Sequence, residues 1–315
     1  MRTGVVLMTY GSPRDLDDVG AYITRVRGGR EPGPELLVEF RRRYQTIGMS
    51  PLIEITQQQA AALEADLGND FVVGAGMRFS DPGIAETVRT LVERGAERLL
   101  GLILSPQYSA TLMGGYDRAL QEAAANELPA RTVEAWHLNP AFVDVLASRI
   151  RAALAGYSAE KRDDVPVLLT AHSLPKRVVD REPDYVEQLQ ATAQAVAAAA
   201  GLAPHRWSFA YQSAGHTPEE WLKPDMLDVL PQLAAAGHRD LVVAPVQFLA
   251  DHLETLYDVD VAGREQAQAA GFETFTRIAA PNSSVDFIVA LKDVVRGAIA
   301  AWDGVSVQGV AWQAV

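Results

Sequence analysis

The chain has 315 residues, enough for two compact domains or one large α/β domain. Its 48% hydrophobic and 22% charged residues exclude extensive disorder and collagen-like repeats, and 28 Lys plus Arg against 40 Asp plus Glu, a formal charge of −12, argue against a nucleic-acid partner. It contains no cysteine, which removes disulfides, thiolate zinc sites, cysteine nucleophiles and a cysteine-ligated iron–sulfur cluster, so any metal must meet nitrogen and oxygen ligands.

The first apolar run, GVVLMTYG from Gly4, reads as a buried strand rather than a leader, because SPRDLDD follows it instead of a small-residue cleavage site. Three more β-rich runs follow: FVVGAGMRFS from Phe71, RLLGLILSPQYS from Arg98 and TVEAWHL from Thr132. The second half repeats the pattern with VPVLLTAHSLP from Val165, RWSFAYQS from Arg206, DLVVAPVQFLAD from Asp240 and FETFTRIAAP from Phe272. Continuous apolar runs suit strands covered on both faces, with helical spacing between them. Pro51 opens a helix that Gly68 closes, and Pro183 opens another that Gly201 closes. No apolar stretch reaches the roughly 20 residues of a membrane span, so no integral membrane segment is expected and the protein is read as cytoplasmic.

Two successive sets of four β-α units predict an α/β fold of two similar doubly wound, Rossmann-like domains, each with a four-stranded parallel sheet. The expected division is 1–160 and 161–315, with polar GYSAEKRDD from Gly156 as the connection and the last helix packing back on the first domain. Ligands of such sheets sit beyond the carboxyl ends of the strands. Those ends carry Thr9-Tyr10-Gly11, Ser105-Pro106-Gln107-Tyr108, Ala171-His172-Ser173, Tyr211-Gln212-Ser213 and Asp251-His252-Leu253-Glu254, predicting polar and aromatic groups at a cleft between the domains. Taken alone, His172 is equally well explained as a structural histidine, and Glu254 with Asp258 as a solvated acidic stripe. The chain has no G-x-x-x-x-G-K-[ST], no G-x-G-x-x-G after the first strand, no H-E-x-x-H and no G-x-S-x-G, which weakens nucleotide, zinc-protease and hydrolase readings.

Five segments in register, YGSP from Tyr10, RYQTIGMSPL from Arg43, AHSLP from Ala171, YQSAGHTPEEWLKPD from Tyr211 and PVQFLADHLETLYDVD from Pro245, resemble the ferrochelatases over nearly the whole chain. The cysteine-free chain of this length is most similar to their soluble, monomeric bacterial branch. That resemblance implies a chelatase-like fold and a lyase of haem biosynthesis that inserts ferrous iron into coproporphyrin III, giving Fe-coproporphyrin (coproheme). It implies that His172 and Glu254 are catalytic and metal-binding, facing one porphyrin surface from opposite sides of the cleft. His172 then accepts a pyrrole proton, while Glu254 binds metal and relays protons. Asp258 resembles part of an acidic approach to the metal, although Ala262 stands where some relatives continue the row, leaving Glu265 as a substitute only if the helix continues. Gln107 stands where some relatives carry histidine.

By the same resemblance, Tyr10 is an axial iron ligand in the product complex, and Arg27, Arg43, Tyr44, Ser50 and Tyr116 hold the porphyrin carboxylates. Iron is thus a substrate, no permanent prosthetic group is implied, and the expected partners are coproporphyrin III, ferrous iron and neighbouring haem-pathway enzymes. Alternatives are the same reaction on protoporphyrin IX, cobalt insertion into a corrin precursor, and a non-catalytic tetrapyrrole-binding or haem-delivery protein.

Overall fold

The computed structural model describes residues 1–125, 127–215 and 218–305. In chain order its elements are β1 (Thr3–Thr9), α1 (Val19–Val26), α2 (Pro34–Ile47), α3 (Leu52–Leu67), β2 (Phe71–Met77), α4 (Ile84–Glu93), β3 (Arg98–Ile103), α5 (Ala110–Ala124) and β4 (Ala130–Val133). There follow α6 (Pro140–Ala155), α7 (Ala159–Arg162), β5 (Val167–His172), α8 (Lys176–Val179), α9 (Asp184–Ala199), β6 (Trp207–Gln212), α10 (Met226–Ala235) and β7 (Asp240–Pro245). A π-helix (Glu254–Gly263), α11 (Arg264–Ala270), β8 (Thr274–Arg277) and α12 (Val285–Trp302) complete it.

The eight strands form two four-stranded sheets ordered β2-β1-β3-β4 and β6-β5-β7-β8, and every pairing is parallel. The order is the same in both, as a doubly wound pair of domains requires. β1 is buried along its whole length and β5 along all but its last residue, which explains why these strands read as unbroken apolar runs. β4 is shorter than the TVEAWHL run suggested. It ends at Val133, after which the chain turns in so that the Trp136 N–H donates to the Pro106 carbonyl.

Two compact units divide the chain, one of residues 1–136, 250–253 and 282–315, the other of 137–249 and 254–281. The linear division at residue 160 and this spatial one place α6 differently, because α6 packs on α9 and β7 of the second unit. In the first unit, Val6, Met8, Leu91, Leu99 and Leu120 centre the core between β1, β3, α4 and α5. α12 packs there on α3 and β3, and its end is fixed where Arg98 donates to Asp303 and stacks, with Arg131, on Trp302. In the second unit, Leu168, Leu230, Leu241, Val243, Val259 and Phe275 form the corresponding core.

In each sheet the chain leaves the first strand for one neighbour and then crosses back to the other side, so the winding reverses between β1 and β3, and again between β5 and β7. Those two gaps are where open α/β sheets place their ligands. No helix among the described residues is long and apolar enough to cross a membrane.

Candidate active site

In the second unit the reversal point lies between His172, the last residue of β5, and the segment that leaves β7 at Pro245. One edge of His172 is set by β6, where the Ser173 N–H donates to the Gln212 carbonyl. The other edge faces β7, whose ladder stops at Thr170 opposite Pro245. A side chain takes over there: the His172 N–H donates to Gln247 Oε1 at 2.8 Å. The Gln247 amide is itself turned by a second bond, Nε2 donating to the Tyr185 hydroxyl at 2.6 Å.

His172 Nδ1 contacts the Ser173 carbonyl. A carbonyl oxygen only accepts, so Nδ1 carries a ring proton, and in the neutral ring it is Nε2 that presents a lone pair. Glu254 Oε1 lies 3.7 Å from that nitrogen, with the two side chains 28% and 34% exposed. Two acceptors at this spacing attract only through a positive charge between them, a proton or a metal cation. With ordinary metal–ligand bonds of about 2.1 Å, one cation reaches both.

The expectation that His172 and Glu254 reach one porphyrin surface from opposite sides of the cleft is corrected as to the opposite sides. They belong to one unit and stand side by side, because β5 and β7 are adjacent parallel strands whose carboxyl ends necessarily neighbour each other.

Glu254 opens a π-helix of ten residues rather than an ordinary α-helical turn. Its i→i+5 bonds widen the turn, a form concentrated at functional sites. Asp258 lies half-buried on that helix. Asp260 is engaged by Arg277, whose Nε and Nη2 each donate at 2.8 Å, so it is committed to a guanidinium. The helix does continue as α11, but Glu265 is exposed there. Among the described residues, no group of three or more His, Cys, Asp or Glu is assembled for a metal.

Behind the pair, Tyr185 is 3% exposed. Burial pushes its phenol above the usual range; the Gln247 bond works against that shift, and the charges of Glu254 and Tyr211 add to it. The Tyr185 hydroxyl therefore stays protonated, within electrostatic reach of Glu254.

The first unit places other chemistry at its own reversal point. Gly11, at φ +88°, makes the turn after β1, and a Cβ there would lie 2.6 Å from Ser80 Oγ. The Tyr22 hydroxyl donates to the Gly11 carbonyl and the Ser80 hydroxyl to Ser12, so the YGSP turn is held from two sides. Tyr10, 44% exposed, stacks edge-on against Phe79 with ring centroids 4.7 Å apart. The Arg78 guanidinium lies over both Phe79 and Tyr116, at 4.9 and 5.2 Å from their centroids, and donates to the Leu112 carbonyl. It passes across Gly115, where any side chain would overlap it.

The structure thus brings Tyr10 and Tyr116 into one aromatic and guanidinium cluster. Tyr116 is buried, and burial raises its phenol above the usual range. The remaining predicted carboxylate binders lie elsewhere in the unit. Arg27 caps α1, exposed and without a partner among the described residues. Arg43 is half-buried on α2, paired with Glu39 at 2.8 Å and stacked on Phe40. Tyr44 is buried beside it, and Ser50 Oγ accepts from the Leu52 N–H at the start of α3. Gln107 is buried in the segment between β3 and α5.

Sequence reasoning missed Gln247, Tyr185 and Arg78. Two of the three carried a signal: Gln247 is an amide inside the apolar run VVAPVQFLA, and Arg78 is a cation at the end of FVVGAGM.

Two equal parallel sheets with polar side chains at their reversal points define a doubly wound two-unit α/β protein, the fold of solved chelatases. SirB from Bacillus subtilis, solved with Fe3+, superposes with a TM-score of 0.61 at 12% identity, covering 96% of this chain and 98% of that one. CbiX, described as the terminal enzyme of sirohaem biosynthesis in denitrifying bacteria, shares the fold at a TM-score of 0.52, 14% identity and 95% and 99% coverage. The ferrochelatase family profile matches residues 2–299. A ferrochelatase of Herpetosiphon aurantiacus is 38% identical over 305 residues, 94% of this chain and 99% of its own. A coproporphyrin III ferrochelatase of a Geobacillus species is 35% identical over 303 residues, covering 93% and 97%. The chain belongs to the ferrochelatase family and is accordingly a lyase of haem biosynthesis that inserts iron into a porphyrin. That membership replaces the binding-only and corrin alternatives.

Proposed function

We propose that the porphyrin is coproporphyrin III and that His172 and Glu254 are the reacting pair. The observation that carries the second point is the 3.7 Å approach of His172 Nε2 to Glu254 Oε1 at the reversal point of the second sheet. Metal insertion exchanges one Fe2+ for two pyrrole protons, so charge is conserved. The site must hold a dication loosely and then accept protons. A neutral imidazole with one carboxylate suits both tasks, since this mixed set lacks the tight grip of thiolates. In this reading Glu254, with His172, binds the incoming iron. His172 Nε2 takes a pyrrole proton as general base, and the carboxylate beside it stabilises the resulting imidazolium and passes protons outward. Asp258, further along the π-helix, extends the acidic approach. The iron is a substrate and no resident prosthetic group is required.

The choice of coproporphyrin is supported by relatives bearing that name at 35–36% identity. Its four carboxylates also suit the cations of the first unit, with exposed Arg27 an open guanidinium, Arg43 and Tyr44 on α2, Ser50 before α3, and Tyr116 beneath Arg78. Tyr10 is assigned to the porphyrin face, as an axial ligand once iron is in place. The test is anaerobic Fe2+ insertion into both porphyrins. Coproporphyrin III is expected to give a kcat/KM at least about tenfold above that for protoporphyrin IX. Equal or reversed values assign the protein to protoporphyrin.

A further inference from the structure

We propose that Gln247 is a positioning residue for the reaction, acting through His172 and Tyr185; this rests on the His172–Glu254 reading above. A glutamine inside an apolar strand end costs free energy unless both ends of its amide are satisfied. Here they are, by two groups that belong to the site. Oε1 replaces the ladder acceptor that β7 withdraws after Pro245, so it fixes the backbone from which the His172 ring is hung. Nε2 donates to the Tyr185 oxygen, which leaves the phenol's own proton directed elsewhere. Tyr185 feels the charge of Glu254. One planar amide therefore links the backbone that carries the imidazole to a buried neutral phenol within electrostatic reach of the carboxylate, and so holds the His172 side of the pair in place.

Both polar atoms of the Gln247 side chain are engaged within the protein, so its influence should appear in the chemical step and not in substrate binding. A leucine at 247 has nearly the same volume and removes both bonds. Gln247→Leu is expected to lower kcat for Fe2+ insertion by about tenfold or more, to leave the porphyrin KM within about twofold, and to displace the acidic limb of the kcat–pH profile. Tyr185→Phe, which keeps the ring and deletes only the hydroxyl, should lower kcat by a smaller factor with the porphyrin KM again unchanged. Because both act through one bridge, the double variant should be no slower than Gln247→Leu alone.

A wild-type kcat and pH profile in Gln247→Leu overturns the proposal, as does a loss confined to porphyrin KM or to thermal stability, or strict multiplicativity in the double variant. Should Gln247→Leu fail to fold, Tyr185→Phe decides alone, an unchanged kcat being the contrary result. His172→Ala, run in parallel, separates the two levels. If it is inactive while Gln247→Leu is normal, only the positioning role falls; if it inserts iron at the wild-type rate, the reading of the pair falls and the proposal with it.

Discussion

The two sheets share one strand order yet end in different chemistry. At the reversal point of the second, Nε2 of His172 and Oε1 of Glu254 stand 3.7 Å apart, and half-buried Gln247 with buried Tyr185 holds the His172 backbone. At that of the first, the side chains are Tyr10, Phe79 and Tyr116 with the Arg78 guanidinium among them. One set suits a cation and protons, the other a flat, anionic ring. The two halves share one strand order and carry different residues at the strand ends, in keeping with function residing in sites rather than folds.

Variants in the two regions should fail differently. Removing either member of the pair, in His172→Ala or Glu254→Ala, should lower iron insertion by roughly 10²–10⁴ while porphyrin still binds. A comparable loss of porphyrin affinity would erase the division of labour. Gly115→Ala in the first unit should do the reverse. Alanine is the better helix former, so α5 should not be weakened, but its Cβ displaces Arg78 from Tyr116. The expected result is a porphyrin KM raised by roughly three- to tenfold with kcat little changed. An unchanged KM would remove Arg78 from the substrate surface.

The smallest effect concerns α2, where hydrogen bonds from Arg42 and then Arg43 hold the Glu39 carboxyl down at about 2. A carboxyl depressed in the folded state contributes stability above its unfolded value near 4.5, and that contribution is lost as pH falls toward 2. Glu39→Gln should flatten the stability profile over this window, by less than about 1 kcal/mol because the pair is solvent-screened. Melting curves from pH 5 to 2.5 measure it. A wild-type slope in the variant would assign the acid sensitivity to other groups.

Much of the fold was legible because parallel strands buried on both faces leave continuous apolar runs, and Pro and Gly mark the ends of α3 and α9. Edge strands were less so: β4 pairs on one side only, and its run continued into Trp136, which is buried without being in the strand. His172 and Glu254 could be singled out as strand-end residues, but their adjacency depends on sheet order, which a linear pattern does not encode. The π-helix was hidden because DHLETLYDVD satisfies i+4 spacing as readily as i+5. Tyr185 was hidden more thoroughly. It lies in α9, 62 residues before Gln247 in the chain, and only the fold gives its hydroxyl to that amide.

The most direct test of the account is to titrate His172→Ala with free-base coproporphyrin, then add Fe2+ anaerobically to the same sample and follow the absorption spectrum. The account predicts saturable porphyrin binding with the free-base bands persisting at the rate seen in buffer. Conversion to the metalloporphyrin spectrum at the wild-type rate would contradict it.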